Sequence, residues 1–263
     1  MCLIAWNWQP GSATPLLLVG NRDEFYARPT QALHHWPDAP VLAGRDTQAG
    51  GTWLGVSQGK DGGVRLAALT NYRSTVPPRA DAPSRGELVA DFLKSTQSAA
   101  SYLEALQSQA GGYNPFNLLA YDGKELLGLE SRGAHIVTLQ PGIGAVSNAD
   151  FNTPWPKLTQ LTNGLATCVA RGETDDEHLW PLLQLHTLAA DQDLPQTGVP
   201  LPLERALSAA FVTMPGYGTR ACSVVRLASE GAQFSEQRFC VEGDMGQTSL
   251  ALHKPTSDFV TSA

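Results

Sequence analysis

The chain has 263 residues, of which 42% are hydrophobic and 16% charged, and its formal net charge is −7. That composition is globular, not disordered, and the length suits one domain, residues 1–263, with a sizeable core. The acidic balance contains no basic run, which argues against nucleic acid or anionic lipid as the main partner.

The first apolar run, residues 3–8, reads as a strand and begins directly behind Met1-Cys2. A small residue in second place is one that methionine removal exposes. Cys2 would then carry a thiol and a free α-amine, which titrate near ~8.5 and ~8, so the amine can take the proton of its own side chain. A cysteine here is equally a small apolar residue opening a core strand. The chain start lacks a basic segment followed by a long apolar one, so a secretory signal is not expected. No run of about 18 apolar residues occurs, so no membrane span is expected, and the low cysteine density makes a reducing, cytoplasmic compartment the simpler expectation. The other cysteines, Cys168, Cys222 and Cys240, have neither metal-ligand spacing nor the density of a disulfide framework. The six histidines are scattered, so no metal or cofactor is expected.

Further strands are predicted at 16–20, 53–57 and 64–70, punctuated by Pro10-Gly11-Ser12, Gly50-Gly51 and Asp61-Gly62-Gly63. The first turn predicts a hairpin between 3–8 and 16–20. Ser84 and Glu87 have capping-box spacing ahead of a helix with Leu88, Val89, Phe92 and Leu93 on one face. A second helix covers 99–109 and ends at Gly111-Gly112. Strands follow at 116–121, 125–130, 135–139 and 145–147, the first two joined by the tight Asp122-Gly123 turn. Helix is predicted from 156 to about 188, broken near Gly172, and again at 203–212. Strands at 221–228, 233–241 and 249–253 close the chain. Blocks of antiparallel strands alternating with helix pairs predict an α+β fold of two sheets covered by helices, not a wound parallel sheet.

Polar residues cluster where apolar strands end. Asn21-Arg22-Asp23-Glu24 follows Leu16 to Gly20, and the predicted hairpin brings it to the chain start. It reads either as a solvated turn or as site donors and acceptors, with Asp23 holding the amine or orienting the thiol and Arg22 binding a carboxylate or phosphate. Asn71 and Arg73 follow the strand at 64–70, and Asn148 follows the one at 145–147. Their amides are of the kind an oxyanion hole uses, though turns also favour Asn. Arg220, at a strand entrance, is a site cation or a surface salt-bridge partner.

The run Asn21-Arg22-Asp23-Glu24 resembles the signature of the NRDE family, also called the transport and Golgi organisation protein 2 family. The resemblance extends through Met1-Cys2-Leu3-Ile4, Gly51-Thr52-Trp53-Leu54-Gly55-Val56, Thr70-Asn71-Tyr72-Arg73, Ser84-Arg85-Gly86, Pro115-Phe116-Asn117-Leu118-Leu119, Ser147-Asn148-Ala149, Pro154-Trp155-Pro156-Lys157 and Tyr217-Gly218-Thr219-Arg220. More distantly it is similar to N-terminal-nucleophile hydrolases of the bile-salt hydrolase and penicillin V acylase group. That implies a four-layer αββα sandwich, Cys2 as nucleophile, Asp23 as the acid that positions it, Asn71 and Asn148 around the oxyanion and Arg220 as a site arginine. This chain carries Gly20 where those hydrolases carry Arg, and Arg22 is expected to leave the strand on the opposite face. Family members are linked to secretory-pathway organisation, haem movement and acyl-CoA handling.

Two functions follow. In one, Cys2 attacks a small amide or acyl thioester, with Asn21, Arg22, Glu24 and Arg73 contacting substrate. In the other, the same pocket carries haem or an acyl-CoA-like ligand without chemistry, with Arg22, Arg73 and Arg220 on its acidic groups.

Overall fold

A computed structural model describes residues 2–59, 62–228 and 231–253. Met1, whose removal the nucleophile reading needs, and Asp61 of the third predicted turn lie outside them. The chain forms β1 (Cys2–Trp8), β2 (Leu16–Phe25), β3 (Thr30–His35), β4 (Val41–Asp46), β5 (Leu54–Gln58) and β6 (Val64–Asn71). Helices α1 (Gly86–Lys94) and α2 (Ala99–Gln107) follow, then β7 (Phe116–Tyr121), β8 (Leu126–Glu130), β9 (His135–Thr138) and β10 (Gly142–Val146). Next come α3 (Pro156–Arg171), α4 (Asp176–Leu183) and α5 (Leu201–Ala206), then β11 (Thr213–Met214), β12 (Tyr217–Ala228), β13 (Gly231–Cys240) and β14 (Gly243–His253).

The strands make two antiparallel sheets. One runs β10-β1-β2-β12-β13-β14 with β11 beside β12, and the other runs β3 to β9 in chain order. Alternation along each strand decides what fills the space between layers. Ile4, Trp6, Leu16 and Leu18 of the first sheet meet Leu54, Val56, Leu66 and Ala68 of the second. The alternate residues Leu3, Ala5, Leu17 and Val19 pack against Leu158, Leu161 and Leu165 of α3 and Leu179 and Leu183 of α4. On the far side, Ala67, Leu69, Phe116 and Leu118 face Leu88, Val89 and Phe92 of α1 and Leu103 of α2. The layers are therefore helix, sheet, sheet, helix, as expected. Each fully buried Leu, Phe or Val in these three cores contributes roughly 1.5–3 kcal/mol.

Four local expectations are corrected. The Asn21 to Glu24 run is not a turn: β2 continues through it to Phe25. β3 and β4 form an extra hairpin whose half-exposed edge strand, bulged between Gln31 and His34, has no clean alternation. The capping box does not form, because the carboxylate of Glu87 accepts from the Tyr113 hydroxyl at 2.6 Å and only the Ser84 carbonyl meets the Glu87 N–H. The last helix spans 201–206, not 203–212. Beyond it the chain is drawn into pairing, Phe211 N–H donating to Leu185 O and Val212 N–H to the Thr219 hydroxyl.

Candidate functional site

On the inner face of the first sheet, cross-strand rows change character towards one end. Leu18, Val225 and Phe234 form an apolar row beside Trp6. The next row is Gly20, Ser223 and Glu236 beside Ile4, and the last is Arg22, Ala221 and Arg238 beside Cys2. Polar and charged residues thus continue the apolar alternation. A cavity of about 370 Å³ opens there, lined by Cys2, Arg22, Asp23, Glu24, Asn71 and Arg220 among others. Its far wall comes from β3 and β4 and from two loops around Thr52 and Arg85. Those loops touch backbone to backbone: a Cβ on Gly51 would lie 2.4 Å from the carbonyl carbon of Gly86, and Thr52 N–H donates to Gly86 O at 3.1 Å.

Positions 20 and 22 lie two apart on one strand, so Arg22 leaves on the same face as Gly20. The expected opposite placement is wrong. Gly20 itself has no room for a side chain, since a Cβ there would meet Leu3 O at 2.9 Å and the Trp53 ring at 3.3 Å. Trp53 fills the place that an arginine would need.

Cys2 is 6% exposed and free. Burial pushes its thiol up from its ordinary range; the charges of Asp23 and Glu24 push the same way, and Arg22 opposes them. The Cys2 carbonyl accepts from the Ser147 hydroxyl at 3.1 Å and, weakly, from the Asn148 amide at 3.4 Å. The same amide donates to Asn71 O at 2.8 Å. Asn148 therefore staples the end of β1 to the end of β6 just behind the thiol.

The outer face of β2 holds a second, deeply buried polar cluster, which borders the cavity at Asp23. Asn21 donates from Nδ2 to Leu183 O at 2.7 Å and Ala210 O at 2.8 Å, pinning the end of α4 and the chain before β11. Asp23 accepts from the Thr219 hydroxyl at 2.7 Å, and its backbone carbonyl accepts from the Tyr217 hydroxyl. Burial raises the Asp23 carboxyl, against the lowering charge of Lys157. Lys157, in the first turn of α3, is 2% exposed, and its Nζ has no hydrogen-bond partner among the described residues. Burial pushes that ammonium down to about 8, with Asp23 the largest opposing charge. Arg73 is buried in an ion pair with Glu204 and lies 4.6 Å over the Trp155 ring.

The structure thus brings Cys2, Arg22, Asp23, Glu24 and Asn71 to one cavity. It turns Asn21 away from that cavity and commits Arg73 and Asn148 to buried partners behind it. Arg220 reaches the cavity wall, but its guanidinium donates to the carbonyls of Phe25, Tyr26, Arg28 and Phe239 at 2.9–3.1 Å. It is the extra residue of a bulge between Thr219 and Ala221. The sequence assigned no site role to Arg85, Glu236 and Arg238, which line the cavity, or to Lys157 beneath it. Lys157 was detectable: 157, 161, 165 and 168 share one helical face, and the other three are apolar. Among the described residues no group of three His, Cys, Asp or Glu could hold a metal, and no helix is long and apolar enough to cross a membrane.

The family profile "Transport and Golgi organisation 2" matches residues 1–240. A bovine Transport and Golgi organization protein 2 homolog is 34% identical over 97% of this chain and 98% of its own. The human homolog is 32% identical over 93% of this chain and 95% of its own. The Drosophila melanogaster protein is 34% identical over 62% of this chain and 55% of its own. The chain belongs to the Transport and Golgi organisation 2 family.

Proposed function

We propose that the cavity is the active site of an acyl-transfer enzyme of the N-terminal-nucleophile type, acting on a small amide or acyl thioester. The observation that supports this best is that Cys2, Arg22, Asp23 and Asn71 line one cavity. The Cys2 thiolate attacks the carbonyl carbon, and the α-amine freed by loss of Met1 takes the thiol proton. The tetrahedral oxyanion is met by amide donors at Asn71 and Asn148, the latter releasing its weak 3.4 Å contact to Cys2 O. The amine or thiol leaves with that proton, and water or another acceptor resolves the acyl-cysteine. Asp23 holds the α-ammonium, and Lys157 offsets the buried negative charge of Asp23.

A second reading, a non-catalytic carrier of a haem-like or acyl-CoA-like ligand, is favoured by the raised Cys2 thiol and the commitment of Asn148 to backbone carbonyls. In either case a cytoplasmic, single-domain protein is our reading, and the names of the relatives point to a role in secretory organisation.

Intact-mass measurement decides between them. Purified protein, Cys2→Ala and Cys2→Ser are incubated with panels of acyl amides and acyl thioesters. Loss of Met1, an acyl adduct on the Cys2 peptide and turnover that vanishes in Cys2→Ala are expected. Retained Met1 in active protein overturns the α-amine as base. Equal binding by wild type and Cys2→Ala, with turnover by neither, establishes the carrier.

A further inference from the structure

The last inner row of the first sheet sets Cys2, Arg22, Ala221 and Arg238 on four neighbouring strands, β1, β2, β12 and β13. Strand spacing of about 4.8 Å puts the Cys2 and Arg238 backbones about 14 Å apart. Ala221, between the two arginines, leaves the floor low. Six arginines and four carboxylates line the cavity, although the chain as a whole is acidic.

Most of these charges are spoken for. Arg28 is held by Asp46 and Arg45 by Asp38, while Arg220 clasps carbonyls. Among the described residues, the other three guanidinium groups have no carboxylate within hydrogen-bond distance. Arg22 has carboxylates only at 3.6 and 3.9 Å, beyond hydrogen-bond reach. Arg85 donates to one carbonyl, Pro115 O at 3.1 Å. The Arg238 guanidinium makes no hydrogen bond or ion pair with another described residue. Glu236, two residues before it on the same face, accepts from Leu33 N–H at 2.8 Å, and burial raises its carboxyl from the ordinary range. A guanidinium presents a rigid fork that matches a carboxylate or phosphate, and a half-buried one left without such a partner is an anion site.

We infer that Arg238, with Arg22 and Arg85 lining the way from Cys2, forms an oxyanion-binding subsite, so that the ligand handled at Cys2 carries a carboxylate or phosphate on the end remote from the reacting carbonyl. The inference rests on the cavity being the site that Cys2 serves. Arg22 and Arg85 lie nearest the thiol, and Arg238 holds the far end of an extended ligand.

The test titrates the full chain by calorimetry with suberic acid monoamide and with its neutral methyl ester, then adds inorganic phosphate as competitor. The acid is expected to bind at least tenfold more tightly than the ester. Arg238→Gln should erase that preference, Arg238→Lys should keep part of it, and the remote control Arg171→Gln should keep all of it. Displacement by phosphate marks a site open to either oxyanion; an intact acid preference without displacement marks one shaped for carboxylate. Equal affinity for acid and ester, or a preference that survives Arg238→Gln, overturns the subsite. Acid preference without acylation of Cys2 leaves the subsite standing and removes the acyl-transfer reading. Acylation of Cys2 by acid and ester at equal rates in every variant does the reverse.

Discussion

Gly20, Asn21, Arg22 and Asp23 are consecutive, yet they serve two different environments. Gly20 and Arg22 face the space between the sheets, where the apolar filling gives out and a cavity begins. Asn21 and Asp23 face the helices and are almost wholly closed to water. Gly20 is packed under Trp53, and Arg22 meets few protein partners and is free to meet a ligand. The outer set, with Thr219, Lys157, Arg73 and Glu204, is satisfied mainly from within the protein. A compact motif on a strand is therefore two half-motifs, and their substitutions should fail in different measurements.

The largest effect is expected on the outer side. Arg73→Met leaves the Glu204 carboxylate buried without its cation, and breaking such a pair costs about 3–5 kcal/mol. Urea unfolding should show that loss, and the double variant Arg73→Met/Glu204→Leu should recover most of it. A double variant as unstable as the single one would mean that the pair does more than neutralise itself.

Lys157 comes next, and its effect depends on pH. The free side chain titrates at 10.5 and the folded one at about 8, so the unfolded chain binds more protons between these values. Its ammonium thus costs stability in full below pH 8, and the cost fades as pH rises to 10.5, a gain of about 3 kcal/mol. Asp23, Arg73, Cys2 and Glu204 surround it and stay in place in Lys157→Met. That variant should lose the rise between pH 8 and 10.5. Parallel stability curves for the two proteins would show that the ammonium is not penalised by its site.

Asn21→Leu should follow at about 1–3 kcal/mol, because it strands the carbonyls of Leu183 and Ala210 without a donor. Alkylation of Cys2 in the folded variant should proceed as in wild type, since Asn21 does not reach the cavity. A large change in Cys2 reactivity would join the two environments that the sheet separates.

The layers were readable from sequence because they rest on periodicity. Ile4, Trp6 and Trp8 against Leu3 and Ala5 give both faces of β1, and the α3 pattern ending at Gly172 gives the helix above it. Cys2 at the head of β1 and Asn71 at the end of β6 were also legible, and Asp23 stood out because polar residues abruptly followed an apolar run, although β2 continues past it to Phe25. What escaped depends on contacts distant in sequence. Nothing local says that Asn148 will spend its amide on Cys2 O and Asn71 O, or that Arg73 will find Glu204, 131 residues away. Arg238 escaped for a subtler reason. It continues the alternation of Phe234 and Glu236, and a charged residue in that register marks either the end of a core or the start of a site. Only the partner strand, with Arg22 and Cys2 in the same row, separates the two.

The smallest effect on stability is expected inside the cavity, where it should be the most informative about reactivity. Arg22 and Glu24 approach to 3.6 Å with both side chains partly exposed, so neither Arg22→Gln nor Glu24→Gln should change stability by more than about 0.5 kcal/mol. Their charges nevertheless act on Cys2 in opposite senses: Glu24 raises the thiol and Arg22 lowers it. Glu24→Gln should therefore move the midpoint of iodoacetamide alkylation at Cys2 to lower pH, and Arg22→Gln should move it to higher pH. Because the two charges are neighbours, the double variant should return close to the wild-type midpoint. Shifts of the same sign would mean that the substitutions act by opening the cavity to water, not by charge. Opposite shifts without loss of stability would mark Arg22 and Glu24 as residues that tune the thiol without holding the fold.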